Sequence, residues 1–164
     1  MSELGNLESA VVGLIAGITQ NSAPVFRSAT GFNGPDRKSG ATHIRRQVAP
    51  AALVIYSGRV RAADAVGGVP KLTVLISAEN LRGGDDPRTG DGTWHGGFDL
   101  LAWVMTALDG VVVDTDRRLT VLDEQAIAAD DTHVIYEQRY AVERITELTS
   151  PTFDGVALAG ATSL

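Results

Sequence analysis

The sequence contains no cysteine, so disulfide bonds, cysteine-ligated zinc and thiol catalysis are excluded. Aromatic residues are scarce at 5%, and a hydrophobic share of 44% means that a core must be built mainly from Val, Leu, Ile and Ala. No run of about 18 apolar residues occurs, and the start MSELGNLES lacks a basic n-region, so we expect neither a membrane span nor a signal peptide. The net charge of −6 argues against a surface that holds nucleic acid or anionic lipid through phosphate contacts.

A chain of 164 residues has the size of one domain. We expect residues 1–149 to form a single α+β domain, because periodic segments occur throughout that range. Residues 150–164 are small and weakly patterned, which predicts an extended C-terminal tail.

Two segments have the apolar periodicity of helices. The first is NLESAVVGLIAGITQ, where Asn6 is the expected N-cap and the apolar face consists of Leu7, Val11, Leu14, Ile15 and Ile18. The second is GFDLLAWVMTALDG, which ends at Gly110 and has an apolar stripe made of Phe98, Leu101, Ala102, Met105 and Leu108. Within residues 21–50, the Gly, Pro, Asn and Asp content of GFNGPDRKSG predicts a loop. A short helix before Pro50 is one interpretation of ATHIRRQVAP.

Four segments favour strands. AALVIYSGRVRAA and PKLTVLISAEN are rich in β-branched residues and predict two neighbouring strands. RLTVLDEQAI predicts a short strand or a strand followed by a turn. HVIYEQRYAVERIT alternates as a long strand with one partly solvent-exposed face. The expected fold is therefore α+β, with a mixed or antiparallel sheet of about four strands, two helices packed on one face, and long loops.

The glycine- and aspartate-rich loop LRGGDDPRTGDGTWHGG lies between a predicted strand and a predicted helix. It fails the EF-hand pattern, because Pro87 and Thr89 stand at ligand positions counted from Asp85. It also has no Walker lysine and no Gly-x-Gly-x-x-Gly triplet. We interpret it as a solvated loop that a partner covers, and we expect no cofactor.

Other candidate sites are weak. His43, His95 and His133 are scattered and do not form a metal-binding motif, so we predict no metal site. Asp114 and Asp116 form a close acidic pair that has two interpretations. They are either Mg²⁺ ligands of a phosphoryl-transfer enzyme or turn residues beside the following arginines.

The two tryptophans are further candidates for contact with a partner. Trp103 is predicted on the helix opposite much of the apolar stripe, so it is either an interface anchor or a partly buried core residue. Trp94 lies among glycines in the long loop, and a partner surface would explain such a bulky residue there.

Taken in order, the segments resemble the tail-terminator (tail completion) proteins of Mu-like tailed bacteriophages. The resemblance is carried by APAALVIYSG, LISAENLRG, the long loop ending in GG, the helix FDLLAWVMTALDG and the closing strand VIYEQRYAVE, and it covers roughly residues 7–146. Its motifs are diffuse patterns of strand, loop and helix. It supplies no catalytic residue, because this family is not enzymatic.

The resemblance implies a virion structural protein that forms a homo-oligomeric ring, commonly a hexamer, at the head-proximal end of the tail tube. Such a ring stops tube polymerisation and offers a neck-joining surface. Its partners would be the tail tube protein, the neck or head-completion proteins and the sheath of a contractile tail, with no membrane partner. DNA would pass through the lumen without specific binding.

Two sets of residues become candidates on this basis. A ring of identical chains needs two different complementary patches per subunit. The candidates for subunit or partner contacts are Arg45, Arg46, Arg82, Arg88, Trp94 and Trp103. The candidates for channel-facing acids are Asp85, Asp86 and Asp91, together with the acids near 123–131.

Two alternatives stay open at this point. The first is a head-completion or neck connector protein, which sequence alone separates poorly from a terminator. The second is a small α+β enzyme that uses Asp114 and Asp116.

Overall fold

The computed structural model describes residues 2–34, 37–61, 67–79, 88 and 95–145. Within these residues the chain forms the following elements: α1 (Glu3–Ala16), β1 (Thr19–Gln20), β2 (Ala23–Pro24), β3 (Ser28–Phe32), α2 (Arg37–Ile44), β4 (Ala51–Val60), β5 (Val69–Glu79), α3 (Gly97–Leu108), β6 (Val112–Asp114), β7 (Arg117–Ala129) and β8 (His133–Arg144). The predicted tail 150–164 and most of the loop 81–97 lie outside the described residues.

One sheet of six strands forms the framework, in the order β3-β4-β5-β8-β7-β6. β3 runs parallel to β4, with α2 as the crossover between them, and every other pair in the sheet is antiparallel. β1 and β2 form a small separate hairpin.

The sheet is curled, so its two edges approach the same helix. α1 packs against β3 and β4 at one edge and also contacts β6 at the other. Glu3 at the start of α1 forms an ion pair with Arg117, the first residue of β7. The amino-terminal helix therefore lies inside the curl and links both ends of the sheet.

Helices cover both faces of the sheet. α1 and α3 lie side by side on one face, over a core that includes Val11, Val74, Leu100, Val104 and Tyr140. α2 lies on the other face, over a smaller core formed by Ile44, Ala51, Leu53, Ile55, Leu75 and Ile135. Residues 51–55 of β4 are consequently buried on both faces, as are residues 72–78 of β5.

The structure agrees with the α+β class and the mixed sheet. The β4–β5 pair, the long strand β8 and the placement of two helices on one face are confirmed. The expected count of about four strands is too low, because β3 and β6 join the edges of the sheet. α2 is the additional helix, and it begins and ends earlier than the predicted segment before Pro50.

α1 begins earlier than the sequence predicted. The N-cap is Ser2, whose Oγ accepts a hydrogen bond from the amide of Gly5 at 3.2 Å, so Asn6 is an internal residue of the helix rather than its cap. The predicted apolar face is confirmed: Leu7, Val11 and Ile15 are buried, and Leu14 and Ile18 pack against the same core.

α3 is rotated relative to the predicted stripe. Leu100, Leu101, Val104 and Leu108 face the core, whereas Phe98 is 53% exposed. The prediction was wrong about Phe98 because this helix carries apolar residues on most of its circumference, and periodicity alone does not orient such a helix. No helix in the described part of the chain is long and apolar enough to cross a membrane.

Candidate functional site

The two edges of the sheet are candidate contact surfaces among the described residues. At one edge, β3 pairs with β4 on its inner side, and no described strand pairs with its outer side. At the other edge, β6 pairs only with Arg117 and Arg118 of β7. A sheet edge presents unpaired backbone N–H and C=O groups that another chain can contact.

Most of the outer side of β7 is open. The amide of Leu119 donates to the carbonyl of Val111 at 2.9 Å, and the amide of Val121 donates to the Asp109 carboxylate at 2.9 Å. From residue 122 to residue 129, no strand among the described residues pairs with this side. The open edge of β7, defined here as residues 122–129, is therefore longer than the whole of β3.

Two β-bulges shape this open edge. The pairing of β7 with β8 shifts between Val121 and Asp123 and again between Ala126 and Ala128. The first bulge leaves Leu122 45% exposed. Bulges and charged side chains are the devices by which proteins limit uncontrolled edge-to-edge pairing. The open edge of β7 therefore carries two features that limit pairing with another exposed strand.

Acidic side chains lie on β7 and on the neighbouring strand β8. Asp123 forms a two-point ion pair with Arg139 of β8, in which Nε and Oδ1 are 2.6 Å apart. Hydrogen bonding to Asp123 raises the pKa of Arg139 above its ordinary value. On the same face, Glu137 is 1% exposed, with a carboxylate oxygen 3.8 Å from Arg139 Nε.

A second acidic group lies in the turn between β7 and β8. The carboxylate of Asp130 accepts hydrogen bonds from the amides of Thr132 and His133 and pairs with Arg45 at 2.5 Å. The amide of Thr132, and then Arg45, lower the Asp130 pKa to about 2. Arg45 thus makes an ion pair within the chain, and its predicted role in a subunit contact stays a prediction.

The acidic pair of the sequence analysis lies in the turn between β6 and β7. Asp114 Oδ1 accepts a hydrogen bond from the amide of Thr115 at 2.7 Å. Asp116 accepts from Arg144 at 3.1 Å and lies 3.9 Å from the guanidinium of Arg117. This is the geometry expected of turn residues that pair with neighbouring arginines.

The segment that contains β3 and α2 has the opposite net charge. Residues 27–46, which include β3 and α2, contain five Arg or Lys and one Asp, a net charge of +4. Residues 109–131, which include β6 and β7, contain seven Asp or Glu and two Arg, a net charge of −5. Lys38 and Arg46 of the first segment are exposed, as are Asp114 and Asp131 of the second. The two segments therefore differ in net charge, although α2 packs over β4 and β5 and Arg45 of the first segment pairs with Asp130 of the second.

Trp103 is half-buried and packs against the main core. Its ring meets that of His95 edge to face, with the ring centroids 4.8 Å apart. Arg88 is exposed, and its carbonyl accepts a hydrogen bond from the amide of Phe98 at 2.9 Å. The remaining predicted site residues lie outside the described residues: Arg82, Asp85, Asp86, Asp91 and Trp94.

A buried hydrogen-bond network, which the sequence analysis missed, holds α3 to the strands beneath it. Gln138 is fully buried, and its Nε2 donates to the Leu101 carbonyl at 3.0 Å and to Glu124 at 2.7 Å. Its Oε1 accepts a hydrogen bond from the Tyr140 hydroxyl at 2.8 Å. The signal available in the sequence was a glutamine at a core position of an alternating strand.

In the part of the chain that the structure describes, no group of three His, Asp or Glu side chains is arranged to hold a metal ion. A scan against protein-family models finds no match to this sequence, and a search of curated proteins finds none with significant similarity.

Proposed function

We propose that this protein is a tail terminator, a structural protein that forms a ring of identical subunits at the head-proximal end of a phage tail tube. The ring would stop tube polymerisation and present the surface to which the neck is joined. The segments that carry the resemblance include β4, β5, α3 and β8, all of which are parts of one folded unit.

The observation that carries the proposal is the presence of two different open edges on one sheet. A closed ring of identical chains requires a head-to-tail contact, in which each subunit uses two unlike surfaces. The outer side of β3 and residues 122–129 of β7 are two such surfaces, unlike in length and shape.

The acidic groups also support a structural role. Asp116, Asp123 and Asp130 each pair with an arginine. Such pairs stabilise strands and turns and are not gathered around a common ligand. Asp85, Asp86 and Asp91, in the long loop, are proposed to face the lumen, where negative charge would let DNA pass without phosphate contacts.

The test deletes the gene for this chain from the phage and measures the length of the resulting tails in negative-stain images. Overlong tubes, restored to normal length by the wild-type gene in trans, are the expected result. Tubes of normal length that fail to join heads would indicate the neck connector instead. Normal tails on normal heads would reject both structural roles.

A further inference from the structure

We propose that the C-terminal tail, residues 150–164, covers the open edge of β7 in its own chain while the subunit is unassembled. The tail would add to this edge as an extra strand, next to an apolar stripe of α3, and any chain that pairs with the edge would have to displace it. This inference goes beyond the proposed function and does not depend on it. The tail itself lies outside the described residues.

α3 runs alongside the open edge of β7. At the C-terminal end of the helix, the carboxylate of Asp109 accepts a hydrogen bond from the amide of Val121. Near its start, the ring centroids of Phe98 and Tyr136 are 6.1 Å apart, and Tyr136 pairs with Ala126 of β7. From Phe98 to Asp109 the helix rises by about 17 Å, which equals about five residues of a strand. The helix therefore follows β7 from Val121 to about Ala126.

The side of α3 that faces this edge is apolar and partly exposed. Phe98, Ala102 and Met105 follow one another at intervals of three or four residues, so they lie on one side of the helix. Asp109 continues this spacing, and its hydrogen bond to Val121 turns that side toward the edge. Phe98 and Ala102 are exposed, and Met105 is half-buried. An apolar stripe beside an open strand edge suits an extended segment that has apolar side chains on one face.

The chain leaves β8 close enough to reach this edge. Arg144, at the end of β8, pairs with Arg117, the first residue of β7. The open edge begins at Leu122, about 17 Å further along β7. Six extended residues span up to about 20 Å, so residues 146–151 can cover this distance. Residues 152–159 are then long enough to lie along the whole open edge.

The composition of the tail fits this place. It contains one charged side chain, Asp154, so the acidic groups of β7 repel it little. In an extended strand Val156 and Leu158 would share one face, which is the α3 side in this proposal, and the small Ala157 would lie on the other face.

The two β-bulges of this edge favour a segment of the same chain over a separate one. They interrupt the regular spacing that another exposed strand would need for pairing. A segment tethered by a short flexible link has an effective concentration that is roughly millimolar, so it can occupy an irregular edge through few hydrogen bonds. A strand of a separate chain lacks this advantage.

The experiment measures hydrogen exchange in peptides that cover residues 122–129, by mass spectrometry of the purified full chain at several concentrations. The variant V156D/L158D places charges on the face of the tail that would contact α3. The control T162D/S163D changes the net charge by the same amount beyond the proposed strand. All four positions lie outside the described residues, and retention of the fold is checked by circular dichroism.

The amides on the outer side of this edge are expected to exchange at least about ten-fold faster in V156D/L158D than in the wild type, and at the wild-type rate in the control. Equal exchange in V156D/L158D and the wild type would overturn the inference, as would equal acceleration in the control. Wild-type protection that disappears at the lowest concentration would overturn it too, because another copy would then be the cover.

Cross-linking separates the tail of the same chain from that of a second copy. With a short bis-maleimide, the double variant Q125C/A157C is expected to form a link within one chain, and a mixture of Q125C and A157C is expected to give few dimers. Dimers from the mixture without a link inside the double variant would overturn the inference. The proposed function is decided separately, by the length of the phage tails.

Discussion

Replacing Gln138 with leucine should destabilise the fold mainly because the buried Tyr140 hydroxyl loses its hydrogen-bond acceptor. Leucine has a similar volume, so the cavity is small, but the Tyr140 hydroxyl loses its acceptor at 2.8 Å in a position where the residue is 1% exposed. An unsatisfied buried polar group costs about 1–3 kcal/mol. Glu124 is exposed and can turn to water, so it adds little. We therefore expect Gln138→Leu to lower the free energy of unfolding by about 1–3 kcal/mol.

The double variant Q138L/Y140F tests this explanation. Removing the hydroxyl together with its acceptor leaves neither group unsatisfied. The double variant should therefore be at least about 1 kcal/mol more stable than the sum of the two single effects predicts. Urea unfolding followed by tryptophan fluorescence, at one fixed protein concentration, measures all four proteins of the cycle. Strictly additive effects would show that the two side chains are not coupled and would refute the reasoning.

The remaining predictions concern pH and two glycines. Burial lowers the pKa of His133 below 6.5, so the unfolded chain takes up the proton first, and stability should fall as the pH drops through about 6.5. His133→Gln should flatten that pH dependence between pH 7.5 and about 5.5 in thermal melts, and an unchanged slope would contradict it. Gly68 has a φ of +76°, and a Cβ there would lie 2.9 Å from the Val60 carbonyl oxygen. Gly68→Ala should lower stability by about 1–2 kcal/mol. Gly13 lies in α1 with open space around it, so Gly13→Ala should raise stability by up to about 1 kcal/mol. Stability changes of the same sign for Gly68→Ala and Gly13→Ala would count against this account.

The central strands were predictable because their sequences are governed by burial. β4, β5 and β8 are long strands with many β-branched, aromatic and other apolar residues, and their burial on one or both faces leaves few alternatives. α1 was predictable for the same reason, since Leu7, Val11 and Ile15 recur at helical spacing. Only its start was misplaced, because Ser2 and Asn6 are both good capping residues.

β3 and α2 were not predictable because tertiary contacts hold them in place. SATGF and RKSGATHI have weak intrinsic preferences for strand and helix. α2 approaches the sheet so closely at Gly40 that an added Cβ would lie 2.5 Å from Ile55 Cδ1. Such an approach depends on where the sheet lies, which the local sequence of α2 does not encode.

The candidate surfaces depend on strand order, and strand order does not follow from local patterns. Nothing in RRLTVLDEQAIAA distinguishes an edge strand from a central one, although its acids and small residues are compatible with an edge. The individual candidates Arg45 and Trp103 were chosen by residue type. In the structure, Arg45 pairs with Asp130 and Trp103 packs on the core.

The absence of cysteine allows a direct test of the head-to-tail joint. Thr30 of β3 and Gln125 of β7 are exposed, so T30C and Q125C place one thiol on each edge. With a short bis-maleimide cross-linker, we predict that neither single variant forms dimers efficiently, that a mixture of the two does, and that the double variant gives a ladder ending in one closed ring. Efficient dimers of either single variant, or a double variant that stays monomeric, would contradict the head-to-tail joint.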